Sequence, residues 1–368
     1  MFQLVESIIA SIDRPSGRRG ALLACLALAA AAAAPARAHS AASRLAEGVH
    51  VIAHEPAPNG FPQGNTTVII GEREVVVVDT GYWPPTARDD IALIRTWTDR
   101  PVRYLVNTHW HHDHCFANAA YVDSFPEIGI IVHEETRKDM DLFVPTSAPR
   151  LRDGIAALER RLASRKDDSG AALTAEDREG YRRAISGRQA VVREFEDTAY
   201  RPPTVTFSDA ITLDIGEREV QIRFLGRGNT AGDAVVWLPE EKILVTGDLL
   251  VHPLPYCYDG YPAEWTATLR RLAALEAAII VPGHGEVQRD DAYLRAVADL
   301  LASAVAQMNA RLSKVGPAEF RAFEDVEGSV DLSSFRSRFA GEDADLGEQF
   351  DRTAALLVKL VFKEAALR

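Results

Sequence analysis

The chain has 368 residues, of which 47% are hydrophobic and 26% are charged. This composition is typical of a folded globular protein and excludes a disordered or fibrous one. The net charge of −12 argues against a general role in binding nucleic acid or an anionic membrane. Three cysteines are too few for a disulfide framework or a cysteine-rich zinc site.

The N-terminal region has the pattern of a cleaved secretory signal. Arginines precede the apolar run Gly20–Ala36, and an A-x-A sequence, Ala36-Arg37-Ala38, follows it. Because the run is short and Arg37 interrupts its end, cleavage is favoured over a retained membrane anchor. We therefore predict a signal peptide over residues 1–38, a periplasmic or secreted mature protein, and no stable membrane span after cleavage.

Short runs rich in β-branched residues dominate the first half of the mature chain, which is the pattern of β-strands. The predicted strands are Val49–Ile52, Thr66–Ile70, Glu74–Val78, Val102–Val106 and Ile128–Val132. Asp89–Thr98 has helical spacing of its apolar residues. The continuous apolar run Val75–Val78 predicts a strand that is covered on both faces.

Residues 137–198 are densely charged and interrupt the series of strands. Leucine and isoleucine recur at helical spacing in their first part. Thr174 and Asp177 have the spacing of a capping box that opens a second helix. We therefore predict a charged helical hairpin inserted at about 137–198. A solvated decoration and a lid over an active site both agree with this pattern.

Strands resume after the hairpin, and helices dominate the C-terminal part. The predicted strands are Thr204–Phe207, Ile211–Leu213, Val220–Phe224, Ala234–Leu238, Ile243–Thr246 and Ala278–Val281. The predicted helices are Pro262–Glu276, Asp290–Leu312 and Phe350–Ala366. The strands form two groups with a helix after each, which suggests two sheets packed together with helices outside. Residues 291–368 are predicted to be a helical C-terminal extension.

The candidate chemistry is concentrated in the sequence HWHHDH, residues 109–114, directly after a predicted strand. This run contains four of the ten histidines of the chain. Neutral imidazoles and a carboxylate suit a borderline divalent metal such as zinc. Since alternate positions of a loop can face one side, His109 and His111 can address one ion, while Asp113 and His114 address a neighbour.

Three further residues lie at the ends of predicted strands and fit the same site. Asp79 and Asp248 would place carboxylates there, and His284 would place an imidazole. A single residue of this kind is usually part of a turn or of the packing. Together with residues 109–114, the three residues form a much more specific pattern.

This pattern resembles the metallo-β-lactamase superfamily of metallohydrolases over about residues 45–290. The resemblance implies the α/β class and, within it, an αββα sandwich of two mixed β-sheets with outer helices. It also implies a metallo-β-lactamase-like domain over about residues 39–290, with a dinuclear metal site at the sheet edge.

The resemblance further implies a role for each site residue. The implied ligands of the first metal are His109 and His111. Those of the second metal are Asp113, His114 and His284. Asp248 would bridge the two ions, and Asp79 would orient the metal loop through hydrogen bonds without binding metal.

The chain departs from the family pattern at Asn229. The family usually has Gly-His-Thr-x-Gly in this region, and that histidine is the third ligand of the first metal. Residues 228–232 here read GNTAG. An amide oxygen is a much poorer zinc ligand than imidazole, so Asn229 would be a weak ligand. A weakened first site is favoured over a single metal at the second site or a different metal. The expected cofactor is therefore one or two zinc ions.

The metal site and the resemblance predict a hydrolase that acts on a small molecule. A metal lowers the pKa of its bound water to about 7, and the resulting hydroxide would attack an ester, lactone, thioester or amide bond, including that of a β-lactam. Asp113 would position this nucleophile as well as bind metal. The alternatives are an iron-dependent oxidoreductase of the same superfamily and a binding protein with a decayed metal site. Nucleic acid is not an expected partner.

Other residues near the motifs are less informative. His112 and His252 have either a pocket role or a packing role, His133 is predicted to be structural, and Cys115 lies outside the family's ligand set. The nearby aromatic residues suit a substrate groove and core packing equally well. They are Tyr82, Trp83, Phe116, Tyr256, Tyr258, Tyr261 and Trp265.

Overall fold

The computed structural model describes residues 41–166, 170–315 and 328–366. The predicted signal peptide, residues 1–38, lies outside this part of the chain. Contacts divide the chain into two compact units. The smaller unit contains Pro56–Gly60 and Ser147–Asp197, and the larger unit contains Ser40–Glu55, Phe61–Thr146 and the chain from Thr198 onward.

The larger unit is built on two β-sheets, and the seven strands of the first sheet follow chain order. They are β1 (Ala41–Ala46), β2 (Val49–Ala53), β3 (Thr66–Ile70), β4 (Val75–Val78), β5 (Val102–Val106), β6 (Gly129–His133) and β7 (Val205–Phe207). Neighbours from β1 to β4 are antiparallel, and neighbours from β4 to β7 are parallel. Strand β1 was not predicted.

The second sheet has the strand order β12-β11-β10-β9-β8. Its strands are β8 (Ala210–Asp214), β9 (Glu219–Phe224), β10 (Ala234–Leu238), β11 (Ile243–Val251) and β12 (Ile279–His284). β11 and β12 are parallel, and the other neighbours are antiparallel. Both sheets are therefore mixed, and this confirms the predicted fold class.

Helices lie between and after the strands. Numbered along the described chain, the α-helices are α1 (Pro84–Trp97), α2 (His112–Cys115), α3 (Asn118–Ser124), α4 (Glu134–Phe143), α5 (Ser147–Ser164), α6 (Ala175–Glu196), α7 (Pro262–Ala273), α8 (Ala292–Val315), α9 (Arg336–Ala340) and α10 (Ala344–Ala366). Helix α1 begins at Pro84 rather than at the predicted Asp89, because proline is accommodated in the first turn of a helix.

Aliphatic side chains fill the space between the two sheets. Val76 and Val78 of β4 pack in one buried cluster with Ile222 of β9 and Val236 of β10. All four side chains of β4 are buried. Since successive side chains of a strand point to opposite faces, this strand is covered on both sides, as its apolar sequence predicted.

The C-terminal helices form a second buried cluster with the second sheet. Trp237 of β10 and Leu244 of β11 lie in this cluster with Leu269 of α7, Leu301 of α8 and Leu357 of α10. The extension after β12 is therefore part of the packed larger unit. Among the described residues, no helix combines the length and the apolar character that crossing a membrane requires.

The smaller unit is a pair of helices, α5 and α6. Thr174 and Asp177 form the expected capping box: the Thr174 hydroxyl accepts from the Asp177 amide at 3.1 Å, and the Asp177 carboxylate accepts from the Thr174 amide at 2.8 Å. The helical segment of this unit begins at Ser147, whereas the sequence predicts a hairpin from residue 137. The difference is α4, which belongs to the larger unit and buries Met140 there. The lid role remains a prediction.

Candidate metal centre

The predicted ligands lie at the carboxyl ends of strands from both sheets. Residues 109–114 follow β5, Asp248 lies within β11, and His284 is the last residue of β12. The sequence predicts that β11 ends at Thr246, but the strand continues past Gly247, where its pairing with β12 shifts register. Gly247 has a φ of +52°, and a Cβ there would lie 2.5 Å from the Thr108 hydroxyl. A side chain at position 247 would therefore force this part of β11 away from the metal loop.

Five of the predicted residues form two overlapping groups of potential metal ligands. One group is His109, His114 and Asp248, and the other is Asp113, His114 and His284. The ligand atoms within each group lie within 4.8 Å of one another. His114 belongs to both groups, so the two groups form one continuous cluster.

The shortest distances in this cluster are typical of groups that share a cation. Nε2 of His114 lies 3.1 Å from Oδ1 of Asp248, and Nε2 of His284 lies 3.1 Å from Oδ2 of Asp113. The Nε2 atoms of His114 and His284 also lie 3.1 Å apart. Nε2 of His109 lies 3.7 Å from Oδ2 of Asp248. Asp248 thus lies between His109 and His114.

His111 lies beside this cluster but outside both groups. Its ring centroid is 4.6 Å from that of His109, and its Nδ1 is 3.4 Å from Nδ2 of Asn229. The resemblance paired His109 with His111, whereas the structure groups His109 with His114 and Asp248. The assignment of His111 as a metal ligand therefore remains a prediction.

Burial and mutual charge control the protonation of the cluster. Burial, together with the charges of His114, His111 and His284, lowers the pKa of His109 well below its usual range. Burial alone would lower the pKa of His114, but the carboxylates of Asp248, Asp79 and Asp113 raise it well above the usual value.

The histidines in turn lower the pKa values of the two carboxylates in the cluster. Burial alone would raise the pKa of Asp113 and of Asp248, but His114 and His284 lower both values. Both carboxylates are therefore held in the charged form, although they are buried.

The donor set fits a divalent metal such as zinc. Imidazole nitrogens and carboxylate oxygens are its usual protein ligands. Nε2 of His109 is buried and has no hydrogen-bond partner among the described residues. A bound cation would provide the partner that this buried nitrogen lacks.

Asp79 connects the end of β4 to the metal loop. Its Oδ1 accepts from the Thr108 amide at 2.8 Å, and its Oδ2 accepts from the Thr108 hydroxyl and from Nδ1 of His114, both at 2.8 Å. With Nδ1 held in this way, the His114 ring turns Nε2 toward Asp248 and His284. Asp79 therefore orients a potential ligand through hydrogen bonds.

Asn229 faces His111 from the loop before β10. The residue is buried, and its Oδ1 has no hydrogen-bond partner among the residues that the structure describes. Asp233 is held within the same loop, because it accepts from the amides of Gly228 and Thr230 at 3.0 and 2.8 Å and from the Thr230 hydroxyl at 2.8 Å. Burial and the charge of Asp248 raise the pKa of Asp233 to about 7. Asp233 therefore shapes the turn that presents Asn229.

The remaining histidines and Cys115 have identifiable neighbours. His133 accepts from the Glu135 amide at the start of α4 and stacks on Phe224 with ring centroids 4.1 Å apart. The rings of His112 and Phe116 are stacked 6.2 Å apart. Sγ of Cys115 is 3.2 Å from the carbonyl of Trp110 and is not part of either ligand group.

His252 and the second buried cysteine also lie outside the two ligand groups. The ring of His252 meets that of Tyr293 edge-on at 5.0 Å. Cys257 is buried, and both it and Cys115 are free thiols. The two cysteines therefore do not form a disulfide with each other in this structure.

The aromatic residues near the motifs differ in burial and include both core residues and exposed ones. Trp265 is fully buried and donates its Nε1–H to the Leu249 carbonyl at 3.1 Å. Tyr256 and Tyr258 are each 41% exposed, and their ring centroids lie 4.2 Å apart. Partial burial and the neighbouring Tyr258 raise the pKa of Tyr256, with smaller contributions from Asp113 and Asp248.

Another group of residues contacts the metal loops, although sequence reasoning did not single it out. Residues 63–65, which lie just before β3, touch the segments that carry His114 and His284. The buried pair His54 and Asp90 lies behind them. Glycine and asparagine before a strand are typical of ordinary turns, so the sequence contained only a weak signal for the contact of residues 63–65 with the metal loops.

The chain belongs to the metallo-beta-lactamase superfamily, whose family model matches residues 59–284. A linear primary-alkylsulfatase from Pseudomonas sp. (strain ATCC 19151) is 28% identical over 58% of this chain and 39% of its own length. A type 2 metallo-beta-lactamase from Bacillus cereus is 32% identical over 24% of this chain and 37% of its own length. The chain therefore spans less than half the length of these curated relatives. They support its classification as a hydrolase of this superfamily.

The solved structures agree with this classification at the level of fold. A metallo-beta-lactamase from Pontibacter korlensis matches with a TM-score of 0.50 and 21% identity, covering 72% of this chain and 99% of that chain. At this identity the likeness shows the fold alone. The sandwich of two mixed sheets is therefore shared with metallo-beta-lactamases.

Proposed function

We propose that the protein is a periplasmic or secreted, metal-dependent hydrolase of small molecules. The observation that supports this proposal is the buried cluster in which His114 is shared by two groups of potential metal ligands. Such a cluster of imidazoles and carboxylates at the end of two sheets suits catalysis by one or two zinc ions.

In this proposal, the ligands fall into a second metal site with a complete set and a first site with a weakened one. The ligands of the second site are Asp113, His114 and His284. The first site uses His109 and His111, with Asn229 as a weak ligand, and Asp248 lies between the two sites. The distances of His109 and His114 to Asp248 support the shared position of that carboxylate.

The residues around the metal would bind the ion and orient the attacking water. When bound, zinc lowers the pKa of a water molecule and polarises the bond that is cleaved. Asp113, held in the charged form next to His114 and His284, accepts a hydrogen bond from the attacking water and so orients it. Asp79 keeps His114 in position through its 2.8 Å hydrogen bond to Nδ1.

The substrate is proposed to contain an ester, lactone, thioester or amide bond, with β-lactams included. The exposed pair Tyr256 and Tyr258 offers aromatic surface for an apolar part of such a molecule. One relative is named a linear primary-alkylsulfatase, so alkyl sulfates are a further candidate class.

Metal analysis combined with a substrate panel tests the proposed function. The purified protein should contain zinc, and removal of zinc by a chelator should abolish hydrolysis, which added zinc should restore. The panel contains a carboxylic ester, a lactone, a thioester, a β-lactam and a primary alkyl sulfate. Intact folding with no bound metal and no hydrolysis of any panel member would indicate a decayed site. Stoichiometric iron with visible colour would indicate an oxidoreductase.

A further inference from the structure

Residues Gln63, Gly64 and Asn65 form a loop that connects the two segments carrying the second-site ligands. We call residues 63–65 the bridging loop. The Gly64 amide donates to the carbonyl of Asp113 at 2.9 Å, and the Asn65 amide donates to the carbonyl of Gly283 at 2.7 Å. One short segment thus holds the metal loop after β5 and the end of β12.

The side chain of Asn65 strengthens the connection to β12. Its Nδ2 donates to the carbonyl of Pro282 at 2.9 Å and to that of Gly285 at 3.0 Å. Together with the bond from its backbone amide to the Gly283 carbonyl, Asn65 donates to three carbonyls that flank His284 in the sequence. The position of His284 therefore depends on a residue that is more than 200 positions away in the chain.

Gly64 contacts the ring of His114 on the other side of the bridging loop. A Cβ at position 64 would lie 2.5 Å from Cε1 of His114 and 2.7 Å from its Nδ1. These distances are too short for real contacts, so alanine would force the imidazole and the loop apart. The absence of a side chain at position 64 is what allows the loop to lie against this ring.

A buried pair fixes the bridging loop from behind. Nδ1 of His54 lies 2.7 Å from the carbonyl of Gly64, and Nε2 lies 2.9 Å from Oδ2 of Asp90. Since a carbonyl oxygen can only accept, Nδ1 is the donor. Both side chains of this pair are 0% exposed. Although burial alone would lower the pKa of His54, the charge and hydrogen bond of Asp90 raise it.

We propose that the bridging loop sets the separation of His114 and His284, and that the His54–Asp90 pair holds the loop in that position. These residues act on the second metal site without binding metal, so they are positioning residues. This inference rests on the proposed function, because it assumes that the second site binds a divalent metal. The 3.1 Å distance between the two Nε2 atoms is the quantity that the loop controls.

Zinc titration of the chelator-treated protein tests this inference with the matched variants Gly64→Ala and Gly129→Ala. A Cβ at Gly129 would meet its nearest neighbours at 3.7 Å, which is an ordinary contact. We expect Gly64→Ala to weaken zinc binding at the tight site at least about 10-fold, as loss of supporting contacts does in other metal sites. Gly129→Ala should bind zinc like the wild type. Thermal melting of the metal-free proteins measures effects on the fold.

A second pair of variants keeps the test decisive if Gly64→Ala fails to fold. Asn65→Ala removes the two side-chain bonds to the carbonyls beside His284, whereas Thr66→Val alters the next buried residue, whose hydroxyl has no hydrogen-bond partner among the described residues. Asn65→Ala should weaken zinc binding, and Thr66→Val should not. Asp90→Asn, which removes a charge and keeps the shape, should have an intermediate effect.

The outcomes separate this inference from the proposed function. Tight zinc binding by the wild type that Gly64→Ala and Asn65→Ala leave unchanged would overturn the role of the bridging loop alone. A wild type that binds no divalent metal would overturn the proposed function and, with it, this inference. Equal weakening by Asn65→Ala and Thr66→Val would show a general packing effect and would also overturn it.

Discussion

The two halves of the metal centre differ in how their side chains are held. In the second half, Asp79 binds Nδ1 of His114, and Asn65 binds the carbonyls around His284. In the first half, the Thr108 hydroxyl lies 3.0 Å from Nδ1 of His109, but Nε2 of His109 and Oδ1 of Asn229 are buried and lack hydrogen-bond partners among the described residues. The protein's own hydrogen bonds therefore preorganise the second half, whereas the first half depends more on a metal ion to satisfy its polar atoms.

The test with the largest expected effect removes the Asp113 carboxylate from the second half, whose side chains the protein's own hydrogen bonds hold. Asp113→Ala should lower kcat/KM by about 10³-fold or more, because one group that both orients water and binds metal is lost. The tight metal should be lost as well, which metal analysis after dialysis measures. Asp123→Ala serves as the control, since Asp123 is paired with Arg201 at the surface. Wild-type turnover and metal content in Asp113→Ala would contradict the assignment.

A second test strengthens zinc binding in the first half of the metal centre. The wild type should bind one zinc ion tightly and a second one weakly, because Asn229 stands where the family supplies imidazole. Asn229→His should tighten the weak site at least about 10-fold and bring tight occupancy to two ions. Calorimetric zinc titration measures both affinities, and Asn229→Ala serves as a control that adds no nitrogen donor.

The opposite result for Asn229→His would be informative. Two equal tight sites in the wild type, unchanged by the substitution, would show that another group completes the first site. Asp233 is poorly suited to that role, since three hydrogen bonds within its own loop occupy its carboxylate. A water molecule would then be the remaining candidate.

A third test asks whether the helical hairpin acts on substrate binding without affecting metal binding. Replacing Ser147–Asp197 by a short glycine-serine loop should leave zinc stoichiometry unchanged, because the metal-ligand groups lie entirely in the larger unit. If the hairpin is a lid, KM should change several-fold with a smaller change in kcat. Loss of the cooperative thermal transition would show that the hairpin is part of the core.

The smallest expected effect concerns Asp139 of α4, outside the metal cluster. Burial and the charges of Glu135 and Asp259 raise its pKa from 3.8 to about 6. The folded state therefore binds this proton more tightly, so stability falls as pH rises between these values and stays lower above them.

Asp139→Asn tests this sign. The substitution should raise the free energy of unfolding at pH 8 by about 1 kcal/mol after allowance for solvent screening, and it should change stability little at pH 4. Urea denaturation at the two pH values measures the difference. The exposed Asp99→Asn is the control. A larger gain at pH 4 than at pH 8 would contradict the prediction.

Most strands and the residues of the cluster were predictable because their signals are local. Runs such as Val75–Val78 identify buried strands. Residues 109–114 combine four histidines and a carboxylate within six consecutive positions. Element ends were less accurate. β11 extends to Val251 because its pairing with β12 continues beyond Gly247, and this pairing joins residues that are far apart in the sequence.

The sequence by itself determined the fold class, the superfamily pattern and the chemical types of the candidate ligands. The tertiary structure decided which of these atoms meet: His114 joins both ligand groups, and His111 lies beside Asn229. It also brought the bridging loop and the His54–Asp90 pair to the metal loops. Periodicity and motif spacing record only neighbours along the chain, whereas these contacts arise where strands of two sheets end side by side and their packing sets the distances.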